Sequence, residues 1–504
     1  MSSITYLSKP TEKLTPEELE QCSILFSNNY GIYSMDAPGG KGGKQIRMSS
    51  KYYADKYIKK HYRVALAKDG NDIIGQAFYI RERLDEGIYT WVLQLVVNKN
   101  YRRQGIASKL LYSIWGFSND CAWGLATTNP YTVRTLERAT IRHADPKEIM
   151  KHQRLVKKIC DKVPYVQELI INETTSKANT NFYVDAKKLN ENRILTDETD
   201  WLLGELDSGE EWIAFTFKDQ PFDSDFIDEL KRIVSFSEEV LKEAYGRMDM
   251  GKHSWAKHAP KEILFIGEYI GGFSGKKVLD AGCGHGRHSI EIGRTCSQAD
   301  VLGVDFSSSN IDNARKKSIY KNVRFEILDL KQPLKGSFDV ILCLYDVVGS
   351  YPDDEDNRLV LKNLYECCNP GGYLVLSVMN LELTIANALD GNILNVEENP
   401  EKLYVLPASD IMQSTGNIFK PEYYLVDDVH RLVYRKEQFS EEGPLPGEYV
   451  IRDRRFTMDE IKDMVTSIGF KVELSRYVQA GKWPMELDAI DEKAKEILII
   501  ARKV

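Results

Sequence analysis

In the second half of the chain, short apolar runs alternate with longer stretches of helical periodicity. The short runs suit buried strands and the longer stretches suit amphipathic helices. The runs begin with Val278 and Leu279 and continue with Val301–Val304, Arg324–Leu328, Phe338–Cys343 and Tyr373–Val378. Strands that alternate with helices predict a parallel, doubly wound α/β sheet, which binds ligands at the carboxyl ends of its strands.

A glycine turn follows the first predicted strand. Asp280 ends the strand, Gly282, Gly284 and Gly286 follow at alternate positions, and a helical stretch begins at Arg287. Glycine adopts backbone angles that other residues avoid and lets the chain pass close to a ligand. The start of a helix adds unpaired N–H groups and a partial positive charge. The turn therefore predicts a pocket that accepts an anionic group.

The next three strands also end in residues that can bind or react. These residues are Asp305 after the second strand, Asp329 after the third, and Leu344, Tyr345 and Asp346 after the fourth. An acid at the end of the second strand is placed to bind ribose hydroxyls. Asp346 can orient or deprotonate an amine or a hydroxyl, because such an acceptor needs a base nearby. A helix cap is the alternative role for Asp346.

This pattern resembles the class I S-adenosylmethionine-dependent methyltransferases. Their D-x-G-x-G-x-G turn is matched by Asp280, Gly282, Gly284 and Gly286. A nicotinamide dehydrogenase is the alternative, but its turn usually reads G-x-G-x-x-G, whereas here the third glycine comes two residues after the second. The Pro-Gly-Gly turn at 370–372, before the fifth strand, also favours the methyltransferase.

The resemblance implies a set of roles for the strand ends, with S-adenosylmethionine as the cofactor. The glycine turn would hold the methionine part, Asp305 the ribose, and Asp329 would lie by the adenine amino group, with Leu344 also at the cofactor. Tyr345 and Asp346 would face the methyl group as the catalytic residues. Residues 391–455, an insertion after the fifth strand, would form a lid over the acceptor.

The acceptor is narrowed by motifs that the chain lacks. The [DNS]-P-P-[YF] run of methyltransferases that act on amino groups of DNA bases is replaced by residues 344–347, Leu-Tyr-Asp-Val. No proline precedes a cysteine anywhere, so the Pro-Cys nucleophile of cytosine-carbon methyltransferases is also missing. We therefore expect a small-molecule acceptor and no DNA.

The first half of the chain contains a second strand, turn and helix. Apolar strands are predicted at 63–67, 73–80 and 90–97, and the last runs into a polar turn that begins with Arg102 and Arg103 and contains Gly105. An amphipathic helix follows the turn. Backbone N–H groups at a helix start, beside two arginines, suit a pyrophosphate.

This stretch resembles the GNAT superfamily of N-acetyltransferases, whose [RQ]-x-x-G-x-[GA] motif is matched by Arg102, Gly105 and Ala107. A second family element, an asparagine after the next strand, is matched by Asn129. The resemblance implies acetyl-coenzyme A as a second cofactor and a mixed-sheet α/β fold. The implied cofactor residues are Leu95, Val97, Arg102, Arg103, Gly105, Ala107, Ser108 and Asn129.

Two departures from the family put acetyl transfer in question. The tyrosine that protonates the leaving thiolate in many members is replaced by Leu136, and residues 90–97 contain no acid to act as a general base. Candidates near the motif in sequence are Glu82, Glu86, Tyr131 and Glu137. The first domain therefore has two interpretations, an acetyltransferase or a module that binds acetyl-coenzyme A or a substrate.

Composition and charge bound the remaining possibilities. The chain has 504 residues and a net charge of −8, which predicts two or three domains and argues against bulk binding to nucleic acid or to anionic membranes. We expect a cytoplasmic protein, because the cysteines are scattered and the sequence shows neither a membrane span nor a secretory signal. We expect no metal site, because the histidines do not form a set of metal ligands. We place the domains at 1–218 and 222–504, with helices over 223–272.

Three functional hypotheses follow. The first is a bifunctional enzyme that joins an O- or N-methyltransferase to an N-acetyltransferase. The second keeps methyl transfer as the only reaction and makes the first domain a binding module. The third, disfavoured by the net charge, has the basic segments 41–63 and 147–162 holding an acceptor carried by tRNA.

Overall fold

The computed structural model describes residues 4–184, 201–226, 242, 245–248, 250–439 and 448–504. Two compact units divide the chain, one of residues 1–235 with 439–449 and one of residues 236–438 with 450–504. Most of the helices predicted between 223 and 249 lie outside the described residues, as do 440–447 of the predicted lid. The boundary predicted at 219–221 stays a prediction.

The first unit is built on a mixed sheet of eight strands, in the order β1-β2-β3-β4-β5-β8-β7-β6. Only β4 and β5 pair in parallel, and all other neighbours are antiparallel. The strands are β1 Thr5–Pro10, β2 Tyr62–Asp69, β3 Asp72–Leu84, β4 Gly87–Val97, β5 Ala122–Thr127, β6 Gln167–Asn172, β7 Thr175–Phe182 and β8 Gly209–Phe217. The described helices are α1 Pro16–Asn29, α2 Ser50–Tyr57, α3 Ile106–Trp115, α4 Pro130–Thr140, α5 Pro146–Lys151 and α6 Gln153–Cys160.

The second unit is built on a seven-stranded sheet in the order β11-β10-β9-β12-β13-β18-β17. β18 alone runs antiparallel to its neighbours, so the prediction of a doubly wound parallel sheet is confirmed. The strands are β9 Lys277–Ala281, β10 Asp300–Asp305, β11 Val323–Ile327, β12 Phe338–Cys343, β13 Cys368–Met379, β17 Phe470–Val478 and β18 Glu496–Lys503. Because β18 is reversed, its first residue lies at the sheet edge where β9, β10, β12 and β13 end.

Helices flank this sheet, and a smaller sheet is inserted after β13. The described helices are α7 Ala259–Ile270, α8 Arg287–Thr295, α9 Ser308–Lys317, α10 Asp354–Cys367, α11 Leu381–Asn387, α12 Lys402–Val405, α13 Ile411–Ser414 and α14 Met458–Ile468. The inserted strands are β14 Tyr424–Asp427, β15 Leu432–Gln438 and β16 Glu448–Arg454. No helix among the described residues is both long and apolar enough to cross a membrane.

One predicted strand of the insertion is wrong at its start. The apolar pattern predicts a strand from Val429, but β15 begins at Leu432. Asp427 accounts for the difference, because its Oδ1 accepts the backbone N–H groups of Val429 and His430, each at 3.1 Å. This local hydrogen bonding favours a turn over an extended chain.

Candidate active site

The glycine turn of the second unit has the backbone that its sequence predicts. Gly282, Gly284 and Gly286 have φ angles of 74°, 56° and 81°, in the left-handed region. A Cβ at Gly282 would lie 2.3 Å from Cγ2 of Val347, and one at Gly286 would lie 2.6 Å from Cζ of Phe325. Conformation and space therefore both require glycine at these two positions. Helix α8 begins directly after the turn.

Two buried aspartates hold the turn in place. Asp280 Oδ2 accepts hydrogen bonds from the backbone N–H of Ser289 at 3.1 Å and from its hydroxyl at 2.6 Å, which ties β9 to the first turn of α8. Asp305 Oδ2 accepts the N–H of Gly284 at 2.9 Å. Burial raises the pKa of Asp305, although backbone N–H donors oppose the shift. The predicted contacts of both residues with a cofactor stay predictions.

A cavity of about 400 Å³ opens beside the glycine turn at the carboxyl edge of the sheet. Its lining includes the predicted residues Asp280, Gly282, Gly284, Asp305, Leu344, Tyr345 and Asp346. Leu328 and Leu330 also line the cavity, whereas Asp329 between them is absent from the lining that the structure describes. Asp329 Oδ1 instead accepts the N–H of Lys331 at 3.0 Å. Its predicted place by an adenine amino group stays a prediction.

Tyr345 is held at the cavity wall by a hydrogen bond, by ring stacking and by a cation–π contact. Its hydroxyl donates to the carboxylate of Glu262, and its ring stacks on Trp255 with 5.1 Å between centroids. The guanidinium carbon of Arg287 lies 4.0 Å from the ring centroid. Burial raises the pKa of Tyr345 well above its ordinary value, and nearby carboxylates add to the shift. The hydroxyl therefore remains protonated, which suits a positioning role better than proton transfer.

Glu262 lies at the centre of this network, and no motif in the sequence identifies it. It lies on α7 and is fully buried. Its carboxylate accepts from His288 Nε2 at 2.8 Å, from the N–H of Gly481 at 2.9 Å and from Arg287 Nη1 at 3.3 Å. Burial alone would raise the pKa of Glu262, but the His288 hydrogen bond and the Arg287 charge outweigh burial and lower it. The carboxylate is therefore ionised and fully partnered.

We expect Glu262→Gln to lower the free energy of unfolding by about 3 kcal/mol, because it leaves buried donors and the Arg287 charge without their anion. The folded pKa of Glu262 lies below its ordinary value of 4.5, so the carboxylate stabilises the fold above that pH and the effect is lost as the pH falls. Urea unfolding of wild type and the variant at pH 7 and pH 4 measures the loss of stability and its dependence on pH. Glu268→Gln, an exposed change on the same helix, should shift stability by less than about 0.5 kcal/mol.

Asp346 is buried and has an oxygen without a partner. Only 7% of the residue is exposed, and no hydrogen-bond donor in the described structure reaches its Oδ1. Burial raises its pKa well above the ordinary value, with a further contribution from Asp453, while Arg455 and Arg435 oppose the shift. The helix-cap interpretation is wrong, because α10 begins at Asp354 and the side chain of Asp353 caps it.

Glu496 is a second buried acid in the same cavity, and the sequence analysis missed it. It is the first residue of β18, is 4% exposed, and its Oε2 has no hydrogen-bond partner in the described structure. Burial raises its pKa to about 8, and the charge of Glu262 adds to the shift. A single acid at the head of an apolar strand carries no motif, so only the strand pairing reveals its position.

In the first unit, the pairing between β4 and β5 ends where the resemblance implies a cofactor. Their parallel pairing runs from Tyr89 opposite Ala122 to Val92 opposite Leu125. β4 continues to Val97 and pairs there with β3 on its other side, with Leu95 opposite Ala77. The edge of β4 that carries Leu95 and Val97 therefore turns away from β5 and leaves a fork between the two strands.

The turn after β4 places its predicted residues at the start of α3. Arg103 and Gly105 have φ angles of 61° and 75°, and Gly105 is the residue before the helix. Ala107 and Ser108 lie in the first helical turn. Arg102 donates from Nη2 to the carbonyl of Asn29 at 2.7 Å, and so helps to hold the turn.

Asn129 stands at the start of the next helix. Its Oδ1 accepts the N–H of Tyr131 at 3.0 Å and caps α4. Asn129 is exposed, and its side-chain nitrogen donates no hydrogen bond within the described residues. Its contact with a cofactor stays a prediction.

The candidate acids for acetyl transfer are mostly engaged in ion pairs. Glu82 binds Lys162 at 2.8 Å, Glu86 binds Lys158, and buried Glu137 accepts from Arg134 at 2.8 Å. Leu136 is fully buried in the core, and Tyr131 is 51% exposed. An acid that the sequence analysis missed, Glu211 on β8, is 6% exposed, and burial raises its pKa to about 7. It lies one residue beyond the pairing of Thr127 with Trp212, at the end of β5.

Comparisons with known proteins match a different family in each of the two compact units. The family described as a methyltransferase domain matches residues 273–435, and the acetyltransferase (GNAT) family matches residues 30–138. The ubiquinone biosynthesis O-methyltransferase of Acinetobacter baylyi is 30% identical over 127 residues, which is 24% of this chain and 51% of that protein. The protein of the same name from Idiomarina loihiensis is 32% identical over 128 residues, 24% of this chain and 49% of that one. The chain thus spans about half the length of the curated relatives it matches.

Similar solved structures include two methyltransferases. The CcbJ methyltransferase from Streptomyces caelestis is 14% identical with a TM-score of 0.36, covering 49% of this chain and 89% of that one. An S-adenosylmethionine-dependent methyltransferase from Clostridium acetobutylicum is 12% identical with a TM-score of 0.35, covering 53% and 98%. The two family matches thus identify a methyltransferase domain at residues 273–435 and a GNAT acetyltransferase domain at residues 30–138, and these domains imply S-adenosylmethionine and acetyl-coenzyme A as cofactors.

Proposed function

We propose that the second unit transfers a methyl group from S-adenosylmethionine to an oxygen or nitrogen of a small molecule. The observation that carries the proposal is Asp346, a buried carboxyl with an unpartnered oxygen in the cavity that the glycine turn also lines. The names of the curated relatives, which are O-methyltransferases of ubiquinone biosynthesis, support a small-molecule acceptor.

The residues of the cavity fit this cofactor. The turn at Gly282 leaves room where a side chain would collide with Val347, and Asp305 ends the second strand, where ribose hydroxyls can be bound. When bound, S-adenosylmethionine supplies a methyl group on a positively charged sulfur. Asp346 would accept the proton that the acceptor loses, because burial raises its pKa and so makes the carboxylate a stronger base. Tyr345 would position the acceptor.

Residues of the insertion line the cavity, which supports the proposal that the insertion forms a lid. Met412, Thr415, Phe419 and Arg435, all within 391–455, line the same cavity as Asp346. Arg435 is fixed there by Asp453, which accepts from its Nη2 at 2.8 Å. We therefore propose that the insertion shapes the acceptor end of the cavity.

For the first unit we propose acetyl transfer from acetyl-coenzyme A to an amine. The fork between β4 and β5 and the turn at Gly105 fit an extended cofactor whose phosphates meet the start of α3. When bound, acetyl-coenzyme A supplies an acetyl thioester. Glu211 would accept the proton of the amine, because the candidate acids nearer the motif in sequence are paired. Leu136, buried where many relatives carry tyrosine, favours the alternative of a binding module.

Release of coenzyme A thiol from acetyl-coenzyme A, across a broad panel of amines, tests this assignment. We expect acetyl transfer with kcat rising through about pH 7, the pKa of Glu211, because its carboxylate must be ionised to act as a base. Glu211→Gln should lower kcat by about 100-fold and abolish that pH dependence. The matched control is Glu210→Gln, since Glu210 pairs with Lys177 at 2.7 Å and should matter little. Binding of coenzyme A without thiol release on any amine would establish the binding module instead.

A further inference from the structure

The cavity of the second unit contains two buried carboxyl groups that each leave an oxygen without a hydrogen bond. These oxygens are Oδ1 of Asp346 and Oε2 of Glu496, on residues that are 7% and 4% exposed. Both residues line the cavity. Buried polar atoms are nearly always paired in native proteins, so two unpaired acids in one cavity call for a ligand as their partner.

The two acids converge on the end of one strand. Glu496 pairs in register with Met379, the last residue of β13, and Met379 also lines the cavity. On the other side of β13, the N–H of Tyr345 donates to Ser377 Oγ at 2.8 Å and the N–H of Asp346 donates to the Ser377 carbonyl at 3.4 Å. The acids therefore border the same end of β13, Glu496 from strand β18 and Asp346 from the turn that follows β12.

The basic side chains of the cavity lining contact groups other than these two acids, although Nη2 of Arg287 has no hydrogen-bond partner in the described structure. Arg287 Nη1 lies 3.3 Å from Glu262, and Arg435 lies 2.8 Å from both Glu437 and Asp453. Lys495, next to Glu496 in the chain, donates from Nζ to Asn417 Oδ1 at 2.9 Å. The fourth basic side chain of the lining, Lys493, is exposed to solvent. Neither Asp346 nor Glu496 has a hydrogen-bonded cation in the described part of the chain.

We propose that the methyl acceptor is an amine that binds as a cation, with its ammonium group held by Asp346 and Glu496, and that it passes one proton to the Asp346 carboxylate before its nitrogen lone pair can accept the methyl group. This inference rests on the proposed methyl transfer and narrows its acceptor to amines. An ammonium group supplies the positive charge and the N–H donors that two buried carboxyls lack. Neither a neutral hydroxyl nor an anionic acceptor supplies the counter-charge that an ionised buried carboxylate needs, so neither would favour ionisation of the two acids.

The surroundings of the two acids predict that amine binding is linked to proton release. Burial, and then the charge of Glu262, raise the pKa of Glu496 to about 8, against Arg287 and Lys495. Burial and Asp453 raise the pKa of Asp346, against Arg455 and Arg435; Tyr245 also interacts with it. A bound ammonium favours the ionised carboxylate, so at pH 7 the amine should expel a proton and bind more tightly as the pH rises towards 8.

Three probes that share a phenyl ring and differ in the charge of their side chain test the proposal. The aromatic probes suit a lining that contains Trp255, Tyr345 and Phe419. The full-length protein is saturated with S-adenosylhomocysteine and titrated calorimetrically with phenethylamine, 2-phenylethanol and 3-phenylpropionate. We expect phenethylamine to bind at least about 10-fold more tightly than either other probe, with proton release detected as a heat that depends on the ionisation enthalpy of the buffer.

Variants assign the effect to the two acids. Glu496→Gln and Asp346→Asn should each weaken phenethylamine binding about 10-fold or more and reduce the number of protons released on binding. Unchanged binding of S-adenosylhomocysteine shows that each variant is folded. Glu486→Gln, which changes an exposed carboxyl outside the described lining of the cavity, is the control and should leave phenethylamine binding unchanged. Equal binding of the alcohol or the carboxylate, or no binding of the amine to the saturated protein, overturns the proposal. Failure of S-adenosylhomocysteine itself to bind overturns the proposed methyl transfer as well.

Discussion

Asp346→Asn is expected to lower kcat for methyl transfer by at least about 100-fold while the affinity for S-adenosylhomocysteine stays within twofold of wild type. Asparagine has the same shape as aspartate but cannot accept a proton from the acceptor. Because the pKa of Asp346 is raised above its ordinary 3.8, wild-type activity should fall already at mildly acidic pH, as the carboxyl becomes protonated. The variant should lose that dependence.

The measurement is the pH profile of kcat and KM with the methyl acceptor that turns over fastest in a screen of amines and phenols, beside calorimetric titration with S-adenosylhomocysteine. Asp463→Asn, an exposed change on α14, serves as the control and should be indistinguishable from wild type. If Asp346→Asn kept kcat within twofold of wild type, Asp346 would not be the base.

The second large effect is expected from Gly282→Ala, which should weaken S-adenosylhomocysteine binding by about 100-fold or more. The added Cβ would lie 2.3 Å from Val347 Cγ2, so the turn must shift and carry its N–H groups away from the ligand. The φ of 74° adds about 1 kcal/mol of strain for any residue other than glycine. Calorimetry measures the affinity, and thermal unfolding measures the strain.

Gly271→Ala separates these two causes. Gly271 has almost the same φ, 75°, but a Cβ there would meet nothing within 4 Å. The control should therefore be destabilised by the strain alone, about 1 kcal/mol, and still bind S-adenosylhomocysteine as wild type does. Val347→Ala combined with Gly282→Ala should recover part of the affinity, because the colliding methyl groups are gone. Wild-type affinity in Gly282→Ala would refute a role for this turn in binding.

The sequence predicts the parts of the site that are continuous along the chain. The glycine turn, Asp305 at the end of β10 and Asp346 shortly after β12 can be predicted because each comes at or just after its own apolar strand. The loss of pairing between β4 and β5 beyond Val92 could not be read in that way, because it depends on strand register.

Residues that reach a site through pairing or packing were missed for the same reason. Glu496 enters the cavity because β18 is antiparallel to β13 and so begins at the edge where β13 ends. Glu262 comes from a helix that precedes the sheet, and it binds His288 across 26 positions of sequence. Glu211 is the only one of the three with an acid neighbour, Glu210, and alternation along β8 sends one of them into the interior and the other to Lys177.

We expect one chain to bind two different cofactors through two different glycine turns. Calorimetric titration of the pure protein with S-adenosylhomocysteine and, separately, with acetyl-coenzyme A tests this expectation, using wild type, Gly282→Arg and Gly105→Arg. Wild type should bind both ligands, and each substitution should abolish binding of its own ligand only. Failure of wild type to bind S-adenosylhomocysteine, or loss of both ligands from a single folded variant, would contradict it.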